Sequence, residues 1–300
     1  MQSKEPNNDR PLWIGLESYK ESDCDIFFCS DQEIQQLASD IFHNVQTIIY
    51  GPLGTGKNSI IRAGIFRVAR ENGYFPIYVR LSHGDSGSKE YYKQIIDIIE
   101  SEAREYDIDI EKTSQYVNKD GDYDVCGSLW EYLQCNEFWT RENYPIIPLI
   151  VIDQFEEIFT LSQDKLKQAE FFEQISDLCD NKLPSYLKKY INDRNKERIE
   201  YSDSANYRLV ISLREDFLAR LEEIAEHIPA LKRNRFSLQS TNDEQAYEII
   251  TMPAPGLVSE DVAIRIIECV TRKNMAKTLS YTMEQISLWN LQYCLSFVQN

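Results

Sequence analysis

The sequence predicts an α/β protein, a mostly parallel sheet covered by helices on both faces. Three observations carry this expectation. Short β-branched or apolar runs alternate along the chain with segments of helical period. One of those runs, Ile146 to Asp153 (IIPLIVID), is nearly all apolar, as a strand buried on both faces must be. Glycine is scarce, 11 in 300 residues, yet three glycines fall at 51, 54 and 56, between a strand pattern and a helix pattern.

In chain order, Gln46 to Tyr50 (QTIIY) reads as a short buried strand. After the glycines, Ile60, Ile61, Ile65, Val68 and Ala69 recur at helical spacing as far as Asn72-Gly73, a helix stop. Tyr74 to Leu81 (YFPIYVRL) reads as a second strand. Residues 88–105 and 127–140 read as helices, and 106–124 as an acidic, exposed loop. After the strand 146–153 come helices near 156–161 and 166–180, then a charged, solvated excursion over 181–206. Tyr207 to Leu213 (YRLVISL) is another strand, followed by a helical stripe of Phe217, Leu221, Ile224 and Ala225. Arg235 to Leu238 is a short strand, and from about 241 the pattern is helical. Pro253, Pro255 and Gly256 punctuate that last part, and Leu288, Leu291, Leu295 and Val298 share one face of a final helix that reaches Asn300, as in a chain cut from something longer or, equally, one with a natural, frayed end. The expected organisation is a lead-in over 1–45, a core over 46–240 and a small, mostly helical last unit over 241–300.

Composition narrows the function classes. At 35.1 kDa the chain suits one large domain, or one with a small appendage. The 32 basic against 49 acidic residues give a net charge of −17, which repels nucleic-acid backbones and anionic membranes at long range while allowing a local basic pocket. Neither nucleic acid nor membrane is an expected partner. The seven cysteines (24, 29, 126, 135, 179, 269 and 294) never form a C-x-x-C pair, which reads as a reducing compartment. Three histidines leave little for a His-rich metal site. The polar N-terminus MQSKEPNNDR has no apolar leader, and no apolar run approaches the roughly 20 residues of a membrane helix. The expected location is the cytoplasm.

The chemistry gathers at strand ends, where open α/β sheets bind their ligands. Gly51-Pro52-Leu53-Gly54-Thr55-Gly56-Lys57-Asn58-Ser59 fits the phosphate-loop spacing G-x-x-x-x-G-K without its final hydroxyl residue. Glycines let the backbone curl around an anion with its N–H groups inward, the following helix adds its positive end, and Lys57 reaches the β and γ phosphates. Asn58 stands where a hydroxyl normally meets Mg²⁺; its carbonyl oxygen is an accepted ligand type on a longer side chain. Ser59 is about 100° further round the helix and does not simply replace it. Asp153 closes an apolar strand with a carboxylate, the geometry of a second metal ligand. Glu156 or Glu157 could orient an attacking water, with Gln154 assisting, or could simply favour a helix's first turn. Arg214, at the end of the 207–213 strand, could sense a γ-phosphate or form a rim pair with Glu215 or Asp216.

Together GPLGTGKNSIIRAG, YFPIYVRL, IVIDQFEEIFTL and ISLREDFLARL resemble the STAND-class NTPases, specifically the novel STAND NTPase type 1 group, with DQFEE and the S/T-L-R-x-D-F strand end as the most specific parts. Trp13 to Tyr19, Phe27-Phe28, Asn234 to Phe236 and Pro253-Ala254 agree, so the resemblance covers nearly the whole chain. It implies a three-layer P-loop sandwich with strand order 5-1-4-3-2 and a C-terminal helical lid. It also implies ATP (or another NTP) and Mg²⁺ as cofactors, self-association into a homo-oligomer on activation, and signalling to effector and sensor domains that this chain does not show, in roles that include bacterial defence. By that resemblance Gly51, Pro52, Gly54, Thr55, Gly56, Lys57, Asn58 and Ser59 bind nucleotide, Asp153 and Asn58 handle Mg²⁺, Glu156 or Glu157 positions water, and Arg214 is the sensor. The chain departs from the family at Asn58, usually Ser or Thr, and at Cys29-Ser30, usually Gly-Arg. A slow ATPase switch is the first expectation. The alternatives are a module that binds nucleotide without hydrolysing it, and a small kinase, for which no arginine-rich lid is found.

Overall fold

The computed structural model describes residues 13–15, 17–82, 90–114, 116, 125–161, 164–194, 204–226, 228–253 and 255–277, with Leu291 and Leu295. The chain divides into two compact units. One contains Gln36–Tyr50 and Val68–Ser237; the other contains Met1–Gln35, Gly51–Arg67 and Leu238–Asn300.

The first unit is built on the sheet. Its strands are β1 (Gln46–Gly51), β2 (Tyr74–Val79), β3 (Asp109–Lys112), β4 (Asn136–Trp139), β5 (Pro145–Ile152), β6 (Arg208–Arg214) and β7 (Arg235–Ser237). Pairing is parallel for β2 with β5, β5 with β6, and β1 with β7, in the path β5-β6-β1-β7 with β2 alongside β5. Taken without β3 and β4, these five strands follow the expected order 5-1-4-3-2 read from its other end. The complete seven-stranded sheet does not, because β3 and β4 add an antiparallel extension: β4 pairs with Pro145 and Ile146, and β3 pairs with β4.

That extension corrects two expectations. The segment 127–140 is not one helix but α5 (Leu129–Gln134) followed by β4, and the acidic loop contains β3. The physical reason is local: Asn136 and Phe138 are buried while Glu137 is exposed, a period of two hidden at the end of an apolar helix pattern. A third correction concerns 181–206, whose first part forms α8 (Ser185–Arg194) and sends Leu187 into the core. The Tyr186 hydroxyl donates to the fully buried Glu131 at 3.1 Å, and the Gly127 N–H donates to the same carboxylate oxygen at 2.8 Å. Ser128 caps α5 by accepting from the Glu131 N–H at 3.1 Å, and the buried Glu131 carboxylate, with its Gly127 and Tyr186 donors, is paired.

Helices α4 (Tyr91–Glu105), α6 (Glu157–Thr160), α7 (Lys165–Cys179) and α9 (Leu218–Ala225) complete this unit. Its core joins Ile77, Val79, Ile150, Ile152, Leu209 and Ile211 of the sheet to Ile95 and Ile99 of α4 and Phe171 and Ile175 of α7.

In the second unit the glycine loop leads into a helix that begins as α2 (Lys57–Ser59), widens to a π-helical stretch over Ile60–Ile65, and resumes as α3 (Phe66–Glu71), whose last residues belong to the first unit. π-Helical turns are rare and favour functional segments. Helices α10 (Asp243–Thr251) and α11 (Glu260–Lys277) pack with Trp13, Leu291 and Leu295 into a separate core. The Trp13 indole donates to the Ile249 carbonyl at 3.3 Å. Helix α1 (Asp31–His43) begins in this unit and ends in the first. The expected final helix over 288–298 lies outside the described residues apart from Leu291 and Leu295. No described helix is long and apolar enough to cross a membrane.

Candidate functional site

The loop after β1 has the backbone its glycines foretell. Gly54 (φ +85°) and Gly56 (φ +83°) take left-handed conformations that cost other L-residues about 1–2 kcal/mol each. Gly51 is glycine for space: a Cβ there would fall on the Leu238 carbonyl oxygen, closer than real contacts allow. Thr55 is buried, its hydroxyl donating to the Pro52 carbonyl at 3.0 Å and bracing the curl. The Lys57 ammonium folds over the same loop and donates to the Gly51 and Pro52 carbonyls, both at 2.8 Å. Asn58 lies half-buried in the first turn of the helix. Ser59 is buried, and its hydroxyl accepts from the Tyr19 N–H at 3.2 Å.

Beside Thr55, Gly56 and Ile60, within the same unit, opens a cavity of about 520 Å³. Phe27, Phe28 and Ile34 line it from the lead-in, and Gln245, Glu248 and Met252 from α10 and its end. The size matches ordinary small-molecule pockets. The Cys29 thiol donates to the Glu33 carboxylate at 3.5 Å on its wall, and burial pushes that thiol up to about 12, so it is a proton donor there and not a nucleophile.

In the sheet unit, the C-terminal ends of β2, β5 and β6 carry the remaining candidates. Asp153 follows β5 and is 3% exposed. Its N–H donates to the Val79 carbonyl at 2.9 Å, and its Oδ2 accepts from the Tyr78 hydroxyl at 2.5 Å. Gln154 then turns the chain through a left-handed conformation (φ +53°), a strained choice for a non-glycine residue of the kind that gathers at functional sites. That turn aims the buried Glu156 at β6, where Glu156 Oε2 accepts from the Arg214 N–H at 3.3 Å. Glu157 instead pairs with Arg80 at 2.8 Å.

Arg214 makes the rim pair with Asp216 that the sequence left open, and its guanidinium lies 5.6 Å from the Phe217 ring centroid. Its Nε is nevertheless buried with no hydrogen-bond partner, an orphaned donor of the kind that an anionic acceptor satisfies.

Two participants were not expected from sequence: Tyr78 and Arg80, which grip Asp153 and Glu157. Their signal was present, since both lie at the end of a strand in an open α/β sheet, where ligand sites gather. Among the described residues no group of His, Cys, Asp and Glu side chains is close enough to make a metal centre by itself.

The sequence profile of the family described as Novel STAND NTPase 1 matches residues 13–290. No curated protein matches the chain. Among solved structures, a Walker-type ATPase of Pyrococcus abyssi is similar at 11% identity and a TM-score of 0.55, covering 94% of this chain and 69% of its own. The Aeropyrum pernix ORC1 protein in complex with DNA aligns at 15% identity and a TM-score of 0.47, over 91% of this chain. This chain spans 61% of the length of that ORC1 chain. The A. pernix ORC2 protein, solved with ADPNP and ADP, aligns at 13% identity and a TM-score of 0.49, covering 96% of this chain and 71% of its own.

Proposed function

The chain belongs to the novel STAND NTPase 1 family and is a nucleotide-binding P-loop NTPase by that membership; from this premise we propose that it is a slow, Mg²⁺-dependent ATPase that serves as a signalling switch. The observation that carries the reading is the loop itself. A Cβ-free position at Gly51, left-handed glycines at 54 and 56, and a lysine ammonium held over the curl on two carbonyls form a cradle with the charge and shape of a phosphate site.

Each residue then has a role of its own. The loop N–H groups and Lys57 take the β and γ phosphates, Lys57 exchanging its two carbonyl acceptors for phosphate oxygens. The cavity beside Thr55 and Gly56 takes the nucleoside, with Phe27, Phe28 and Ile34 as its apolar wall. Asp153 and Asn58 would each offer Mg²⁺ an oxygen ligand, the donor type that ion selects. When bound, Mg²⁺ neutralises charge on the phosphates and makes the terminal phosphorus easier to attack. Glu156 is the better candidate for orienting water, because it is buried and fixed by a main-chain N–H, whereas Glu157 is engaged with Arg80. The Arg214 Nε donor suits a γ-phosphate, an acceptor that ADP lacks. A ligand shifts a conformational equilibrium only by its differential affinity for the two states, so a contact specific to ATP is what a switch requires. Self-association on ATP binding, cytoplasmic location and signalling to an effector, in defence among other settings, complete the proposal.

A second reading has its own observation. With Asn58 at the metal position and the Ser59 hydroxyl engaged by Tyr19, no hydroxyl heads the helix for Mg²⁺, which favours a nucleotide-binding module that scarcely hydrolyses. Single-turnover hydrolysis of purified protein, with and without Mg²⁺, separates the two. Mg²⁺-dependent ADP formation supports the switch with turnover; tight ATP binding without ADP formation supports the module; absence of binding defeats both.

A further inference from the structure

Asp153 is held twice from a single neighbouring strand. The parallel register of β2 with β5 runs to Val79 opposite Ile152, and the Asp153 N–H extends it by donating to the Val79 carbonyl at 2.9 Å. That fixes the main chain. The side chain is fixed separately, by the Tyr78 hydroxyl donating to Oδ2 at 2.5 Å. Hydroxyl-to-carboxylate bonds of this length belong to the strong, charge-assisted class. Tyr78 is half-buried and Asp153 buried, so the bond is sheltered from competing water.

We propose that Tyr78 is a positioning residue for the Mg²⁺ ligand: its hydroxyl occupies Oδ2 of Asp153, locks the carboxylate in one orientation and leaves Oδ1 as the oxygen offered to the ion's coordination shell. This rests on the reading of Asp153 as a metal ligand given above. Partners that orient a ligating group commonly govern metal affinity by 10–100-fold without touching the metal. Mg²⁺ is the ion for which orientation matters most, because it demands near-ideal octahedral geometry at about 2.0–2.1 Å. The same strand end shows the pattern again. Residues two apart share a face of a strand, and Arg80, two residues on, grips Glu157 at 2.8 Å. The end of β2 therefore supplies a partner to each of two carboxylates that follow β5.

A merely structural Tyr78 would satisfy a buried carboxylate and add stability, with no bearing on metal. ATP binding, measured by calorimetry over a Mg²⁺ series, separates the two accounts. The proteins are the full chain, Tyr78→Phe, Asp153→Asn and the double variant. Tyr78→Phe keeps the ring and loses the donor. The expected result is an unchanged ATP affinity without Mg²⁺, a Mg²⁺ midpoint raised about tenfold in Tyr78→Phe, and no further shift when Tyr78→Phe is added to Asp153→Asn. An unchanged midpoint in Tyr78→Phe overturns the proposal, as does an equal loss of ATP affinity with and without Mg²⁺. If the unaltered chain binds no ATP at any Mg²⁺ concentration, the nucleotide reading itself falls and the proposal falls with it, an outcome distinct from normal binding with an unshifted midpoint.

Discussion

The phosphate loop and the carboxylate edge are built by opposite means. The loop works through its main chain: Gly51 removes a Cβ, Gly54 and Gly56 adopt left-handed angles, and Lys57 and Thr55 bind carbonyls no more than six residues away. The edge works through side chains brought from far apart in sequence: Tyr78 reaches Asp153 across 75 positions, Arg80 reaches Glu157 across 77, and Glu156 meets the main chain of Arg214 across 58. Local geometry is specified by residue type, whereas long-range pairing is specified only by the register of the sheet. Substitutions in the loop should therefore act through shape, and those at the edge through single partners.

The largest expected effect tests the edge. Asp153→Asn should lower Mg²⁺-dependent ATP hydrolysis by about 100-fold or more while metal-free ATP affinity changes by no more than about threefold. Parallel loss of both would show that the edge shapes the fold, as the loop does. Next, Gly51→Ala should destabilise the protein by about 3 kcal/mol, the upper range for an over-packed site, because the added methyl meets main chain that cannot swing aside. Gly73→Ala is the matched control: nothing lies within 4 Å of its Cβ, so only its φ of +78° is charged, about 1–2 kcal/mol. Equal melting shifts for the two would remove the distinction between space and backbone angle.

Asn58→Thr should have a smaller effect, a severalfold rise in turnover with a lower Mg²⁺ requirement, because a short hydroxyl fits the ion's distances better than an amide on a longer arm. No rise would place the limitation on turnover at the edge. A separate test lies in α7, away from the candidate residues. Burial, reinforced by Glu173, pushes the Asp177 carboxyl up to about 7 against the opposing pull of Lys188 and Lys182, with Asp180 adding to the rise. The folded state thus holds this proton more tightly than the unfolded chain does. Stability from this group is full below about pH 4 and is lost as pH rises through 7. Asp177→Asn should flatten that slope and raise the melting temperature at pH 8 relative to pH 5. An unchanged slope would mean that Asp177 ionises normally.

The same contrast explains what the sequence made legible. The strands 46–50, 74–81, 146–153 and 207–213, the loop and the carboxylate at 153 were readable because apolar runs and glycine spacing are local signals. Strands β3 and β4 were not, because Asp109–Lys112 is charged and Asn136–Trp139 too short to break the period of the preceding helix. Helix α8 was hidden by its charge, although Tyr186 and Leu187 anchor it inside. Tyr78 and Arg80 were visible as strand-end residues, but their targets follow only from the β2–β5 register. Glu156 and Glu157 stood equal in sequence; the left-handed turn at Gln154 and the separate partners Arg214 and Arg80 distinguish them.

The central claim is that the loop binds nucleotide through its lysine. ATP affinity of the unaltered chain and of Lys57→Ala, measured by calorimetry at saturating Mg²⁺, tests it most directly. The account predicts at least a tenfold loss in the variant, ~1.4 kcal/mol or more, with both proteins melting as single folded species. Equal ATP affinity in the two proteins would contradict it.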